Sequence, residues 1–158
     1  MVNVLYTEHQ EILRHLIRKG VHFILIGGYA VIAHGYERTT GDMDLWIKPD
    51  NSNKLLLLEA LRELGFEKRD LDIIATKDFE QPFVFSIGEK PLRVDFLTTI
   101  SGVQYGEADA QKIIAEIDGI QLPVLHLNHL VLSKFVTGRL KDKADIEELQ
   151  RIEAQRKK

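Results

Sequence analysis

The run His22-Phe23-Ile24-Leu25-Ile26-Gly27-Gly28, followed after thirteen residues by Asp42-Met43-Asp44-Leu45-Trp46-Ile47, decides how this chain is read. The first stretch is strongly apolar and closes on a glycine pair, as a buried strand does when it turns directly into another element. In the second stretch two acids alternate with apolar residues. Positions i and i+2 of a strand point to one face, so Asp42 and Asp44 project side by side. Adjacent carboxylates repel, and their field suits a divalent cation; Mg²⁺ is commonly held by one or two carboxylates together with substrate phosphates. Glycines just ahead of a helix let phosphate oxygens approach backbone N–H groups closely. Each feature also has a plainer reading. Gly27-Gly28 alone is an ordinary strand-to-helix turn, and the acids alone are an exposed strand face or an Asx turn after Gly41. Asp is disfavoured inside strands, however, and conflict between local preference and pattern is expected at functional sites. Taken together, the two segments point to a metal site beside a phosphate seat.

Working outward, Glu8 to Lys19 carries Ile12, Leu13, Leu16 and Ile17 at helical spacing and stops at Gly20. His22 to Ile26 reads as a buried strand, Tyr29 to His34 as a short helix, Glu37 to Gly41 as a polar turn and Met43 to Lys48 as a strand. Asn51 to Leu64 is a helix with Asn51 or Ser52 as its cap and Gly65 as its stop. Asp70 to Thr76 fits no single pattern. Phe83 to Ile87 and Leu92 to Leu97 read as strands around the turn Gly88-Glu89-Lys90-Pro91. Asp109 to Glu116 reads as helical, and Ile120 to Leu125 as a strand that Pro123 places at a sheet edge. Leu127 to Thr137 and Asp142 to Arg156 are helices parted by Gly138. The expected plan is α/β (α+β): a mixed sheet flanked by helices, with a helical C-terminus.

Bulk properties narrow the classes. A chain of 158 residues, 44% hydrophobic and 28% charged, suits one globular domain with a real core. A catalytic core over about residues 1–125 and C-terminal helices over about 126–158 are expected. No apolar run approaches the ~20 residues of a membrane span, and the first residues lack the pattern of a signal peptide. Zero cysteines exclude disulfides and thiolate metal sites. The expected compartment is the cytoplasm. A net charge of −3 gives no general attraction to nucleic acid. The sequence has no Gly-x-x-x-x-Gly-Lys-Ser/Thr loop, no Gly-x-Gly-x-x-Gly and no His-Glu-x-x-His, so P-loop, Rossmann and zincin sites are not supported. Tyr29, Tyr36, Trp46 and Phe85 read as core, with a base-stacking role open to any one of them.

The glycine pair, the gap and the Asp-x-Asp resemble the signature of the polymerase-β-type nucleotidyltransferases, most of all their small bacterial members, the minimal nucleotidyltransferases and the AbiEii-like toxin relatives. The segment Ser133 to Ile146, with Lys134, Arg139, Lys141, Asp142, Lys143 and Asp145, is similar to a later region of that subgroup. The resemblance implies transfer of a nucleoside monophosphate, AMP foremost, from a nucleoside triphosphate to an acceptor hydroxyl, with Mg²⁺ or Mn²⁺ as cofactor and pyrophosphate released. Asp42 and Asp44 become metal ligands. A third acid comes from a later strand, and Asp95, alternating with Val94 and Phe96, takes that role as ligand or base. Arg93, on the face of Asp95, steadies it or touches a phosphate; a surface Arg–Asp face is the plainer reading. Gly27 and Gly28 are assigned to the nucleotide phosphates, as are Lys134 foremost and Arg139, Lys141 and Lys143, for each of which a solvated basic face is the plainer reading. Arg38, Thr39 and Thr40 contact phosphate or acceptor, or only build the turn. Asp142 and Asp145 are read as capping and flanking the last helix, and the basic tail as a solvated helix end. A small hydroxylated molecule or a protein is the favoured acceptor, with tRNA open, and a cognate toxin or antitoxin partner is implied for the toxin-like branch. A nucleotide- or protein-binding module without turnover is the rival from another class.

Overall fold

The computed structural model describes residues 4–36, 40–137 and 140–156; the side chains of Phe135, Thr137, Leu140 and Lys141 also lie outside the description. In chain order the elements are α1 (Thr7–Arg18), β1 (Phe23–Ile26), α2 (Gly27–Ala33), β2 (Asp42–Ile47), α3 (Asn51–Glu63), α4 (Lys68–Ala75), β3 (Val84–Ile87), β4 (Arg93–Leu97), α5 (Tyr105–Gln111), β5 (Ile113–Ile117), β6 (Ile120–Val124), α6 (Leu127–Thr137) and α7 (Leu140–Arg156). The strands form one mixed sheet in the order β3-β4-β2-β1-β6-β5. β2 runs antiparallel to β1 and parallel to β4. The expected architecture, a mixed sheet with packed helices and a helical C-terminus, is the one observed.

Alternation explains how β2 and β4 serve both core and cleft. Met43, Leu45, Ile47, Val94 and Phe96 are fully buried, while Asp42, Asp44, Arg93 and Asp95 point the other way and are only half-buried. Leu13 and Leu16 of α1 and Leu57 and Leu61 of α3 join the same core. Ile17, expected on the apolar stripe of α1, is exposed, because the stripe is narrower than the sequence pattern implies. The Asn53 side chain ties the start of α3 to the sheet: its Oδ1 accepts from His22 N–H at 2.8 Å and its Nδ2 donates to His22 O at 2.9 Å.

Several local expectations are corrected. The cap of α3 is Asp50, whose carboxylate accepts from Asn53 N–H at 2.7 Å, rather than Asn51 or Ser52. Helix α4 occupies the stretch that fitted no pattern. The segment read as a helix from Asp109 splits into the end of α5 and strand β5. β6 is not an edge, since it lies between β1 and β5. Pro123 is tolerated there because β1 and β6 are in register only at Leu25 and Val124. Leu125 N–H donates to Leu25 O at 3.0 Å, and two residues earlier on the same side of the strand proline has no N–H to offer. Among the described residues no helix is long and apolar enough to cross a membrane.

Candidate functional site

The strand-to-helix turn at Gly27-Gly28 is forced by its neighbours. β1 and β2 pair with Ile26 opposite Asp44, so the next residue, Gly27, sits against the Asp44 side chain. Gly27 has φ +68°, where side chains are disfavoured, and a Cβ added there would run into the Asp44 carboxylate. α2 begins at Gly27, so the pair forms the first turn of the helix rather than a linker before it.

β4 adds the third acid. Its parallel register with β2 sets Asp44 opposite Asp95 and Asp42 opposite Arg93. The antiparallel β3 places Ser86 opposite Asp95. The Ser86 hydroxyl donates a short hydrogen bond to Asp95 Oδ1, and Arg93 Nε donates to the same oxygen at 2.9 Å. Arg93 also donates to the Ser86 hydroxyl at 3.2 Å. Burial pushes the Asp95 carboxyl up, but the hydrogen bonds from Ser86 and Arg93 and the Arg93 charge outweigh it and hold it below the ordinary carboxylate range. Asp95 is therefore an anion at neutral pH.

A cleft of about 500 Å³ opens over this face, a volume suited to a small-molecule ligand. It is lined by Gly27, Gly28, Asp42, Asp44 and Asp95 on the sheet side and by Leu130, Ser133, Lys134 and Asp142 on the α6–α7 side. The three acids, Gly27, Gly28 and Lys134 thus border one cleft, while Arg93 and Thr40 do not line it. Residues of the C-terminal helices build its second wall.

Electrostatics on that second wall differ from expectation. Asp142 and Asp145, read from the sequence as helix-flanking acids, are buried at 0% and 2% exposure. Lys134 Nζ lies 3.2 Å from Asp142 Oδ1 and 2.9 Å from Asp145 Oδ2, which makes a buried ion cluster clamping α6 to α7. The i, i+3 spacing of the two acids on one helix face was the available sequence signal. Ser86 was missed altogether, since only the β3–β4 register places it. Thr40 builds the turn, its hydroxyl donating to Asp42 O at 3.2 Å. Arg38, Thr39, Gly138, Arg139 and the Lys141 side chain lie outside the described residues. Tyr29 and Trp46 are core residues, and Trp46 Nε1 donates to Thr98 O at 3.0 Å. In the basic tail, Arg156 is exposed and donates to His34 O at 2.9 Å.

The acids fit a divalent cation on one specific observation: among the described residues Asp42 Oδ1 is buried and takes no hydrogen bond. A buried carboxylate oxygen without a donor is costly unless a cation meets it. The fit is that of an open site. Among the described residues no group of three or more His, Cys, Asp or Glu side chains is disposed to hold a metal ion, so the three acids do not close on one point as the sequence reading expects. An open carboxylate site of this kind takes its remaining ligands from water and substrate phosphate.

A protein-family model with the description "Nucleotidyl transferase of unknown function (DUF2204)" matches residues 6–158. A comparison with curated proteins yields no match. Among solved structures the chain is similar to the lincosamide antibiotic adenylyltransferase LnuA in its lincomycin-bound form, at 17% identity and TM-score 0.56, over 96% of this chain and 99% of that one. It is similar to a Thermotoga maritima protein described as a nucleotidyltransferase, at 14% identity and TM-score 0.58, over 94% and 96% of the two chains. It is also similar to ANT(2'')-Ia in complex with adenylyl-2''-tobramycin, at 15% identity and TM-score 0.56, over 94% of each chain. At these identities the likeness is one of fold.

Proposed function

We propose that this chain, which belongs to the DUF2204 family of nucleotidyl transferases, moves a nucleoside monophosphate, AMP foremost, from a nucleoside triphosphate to the hydroxyl of a small-molecule or protein acceptor. The observation that carries the reading is the register. Ile26 opposite Asp44 and Asp44 opposite Asp95 bring the glycine turn and the acids to one cleft.

In this reading the residues divide the work by position. Gly27 and Gly28, without side chains, let the phosphates come down onto the backbone at the start of α2. Asp42, Asp44 and Asp95 would face Mg²⁺ or Mn²⁺ together with water and substrate phosphate, which would complete a coordination that the three side chains do not close by themselves. When bound there, the cation supplies charge neutralisation on the phosphoryl oxygens and acidifies the acceptor hydroxyl. Asp95 is held ionised by Ser86 and Arg93, so it is a good ligand and a weak base. Lys134 borders the cleft as the candidate cation for the phosphates, with its ammonium already held between Asp142 and Asp145. Positioning and charge stabilisation then carry most of the rate, as phosphoryl transfer generally requires.

The preference for a small or protein acceptor rests on the net charge of −3 and on two structural neighbours whose described ligands are an antibiotic and an adenylylated antibiotic. The test is transfer of α-labelled ATP, with Mg²⁺, to small hydroxylated molecules, lysate protein and tRNA in parallel, with Asp44→Asn as control. Metal-dependent labelling of one pool with pyrophosphate release supports the reading. Labelling of tRNA alone overturns the acceptor preference. Without labelling of any pool, and without stabilisation by ATP and Mg²⁺ at millimolar levels, the enzymatic reading fails.

A further inference from the structure

The geometry points to Ser86 as an acceptor within the chain itself: the protein nucleotidylates its own Ser86 hydroxyl when no other acceptor fills the cleft. This rests on the transferase reading above and adds a modification site to it. Paired residues form a row across four strands, Ile26, Asp44, Asp95 and Ser86; the first three line the cleft, and Ser86 stands past them at the sheet edge, where it borders a second cavity. The phosphate seat, Gly27-Gly28, adjoins one end of the row, and a hydroxyl stands at the other. An acceptor hydroxyl has to be hydrogen-bonded to the group that takes its proton, with the phosphorus on the nucleotide side. Ser86 meets the first condition as it stands, because its hydroxyl already donates to Asp95 Oδ1. Arg93, which donates to both the Ser86 hydroxyl and Asp95, places a guanidinium beside the oxygen that would carry the new phosphate. Ser86 is exposed at the sheet edge, so the site needs no unfolding to be reached. Ser133, a hydroxyl that lines the cleft itself, donates instead to Leu130 O within its own helix.

The step balances without a further reactant. Ser86 Oγ attacks the α-phosphorus in line. The bond from that phosphorus to the α–β bridging oxygen breaks, and pyrophosphate leaves with the bonding pair. The Oγ proton passes along the existing hydrogen bond to Asp95 and from there to water. The product is a phosphodiester between Ser86 and the nucleoside monophosphate. Ser86 offers one hydroxyl, so the product carries one nucleoside monophosphate per chain.

The test is incubation of the purified full-length protein with ATP and Mg²⁺ or Mn²⁺, without added acceptor, followed by intact mass and peptide mapping. The expected result is a gain of up to one AMP per chain on the peptide containing Ser86. The gain should be absent in Ser86→Ala and in Asp44→Asn, and retained in Ser86→Thr, with folding of each variant checked by its melting temperature. A label that persists in Ser86→Ala overturns the proposal. So does an unmodified chain in a preparation that transfers AMP to an added acceptor or is stabilised by ATP and Mg²⁺, and in that case the transferase reading survives. An unmodified chain that shows neither behaviour removes both.

Discussion

Replacing Gly27 by alanine tests the closest contact in the site. The perturbation acts twice. At φ +68° an alanine costs about 1–2 kcal/mol in backbone strain. Its Cβ would also meet the Asp44 side chain, with Cγ at 3.0 Å and Cβ at 3.1 Å as well as the carboxylate oxygen. Relieving such an overlap typically costs about 1–3 kcal/mol more. The total, about 2–5 kcal/mol, corresponds for a chain of this length to a fall in Tm on the order of 10 °C. The overlap belongs to Asp44, so the two residues should couple. Asp44→Ala removes the oxygen and Cγ and leaves only a Cβ contact that a few tenths of an ångström relaxes. In that background Gly27→Ala should cost only the backbone part, a coupling energy of about 1–3 kcal/mol. Urea denaturation of the four proteins of the cycle measures it, and ATP with Mg²⁺ should no longer stabilise the single Gly27→Ala variant. If the substitution costs the same in both backgrounds to within about 0.5 kcal/mol, the carboxylate does not rest against Gly27 and the site geometry is wrong.

Asp44→Asn should abolish transfer while leaving the melting temperature unchanged or higher, since it removes charge from an acidic face; near-normal transfer would show that the carboxylate is no ligand. Lys134→Ala strips an ammonium from two buried carboxylates and should destabilise by about 3–5 kcal/mol in urea as well as weaken triphosphate binding; a loss under about 1 kcal/mol would place the cluster in water. His9 and His34 are fully buried, and burial lowers both below the ordinary 6.5 although the carbonyls of Leu92 and Leu125 pull the other way. Between the lowered folded values and 6.5 the unfolded chain binds more protons, so their contribution is present above about pH 6.5 and lost as the pH falls below it. The urea midpoint should therefore drop from about pH 7.5 to 5.5, less steeply in His34→Gln, and a midpoint constant over that range would contradict the burial of both rings.

How far the chain could be read without coordinates follows the range of the interactions involved. The strand into Gly27-Gly28, the Asp42-x-Asp44 pair and Asp95 alternating with Val94 and Phe96 were legible, because period-2 alternation and glycine punctuation are local properties of neighbouring residues. The mixed sheet with a helical C-terminus was legible for the same reason. Where local signals compete, the reading slipped. Asp109 to Glu116 has helical composition at its start, yet Ile113 onward is captured by pairing with β6, a non-local gain that outweighs propensity. Pro123 signals an edge, but the sheet accommodates it where β1 and β6 barely overlap.

What the sequence by itself determined is which residue types are spaced to carry the chemistry. Tertiary structure decided which of them meet, through strand register and helix docking, neither of which is encoded over short distances. Register put Asp44 beside Asp95 and brought Ser86 onto the same Asp95 oxygen that Arg93 meets within its own strand. Docking of α7 on α6 turned Asp142 and Asp145 from apparent surface acids into buried partners of Lys134. A one-residue slip of β4 would leave every local pattern intact and carry Asp95 to the opposite face, away from Asp42 and Asp44.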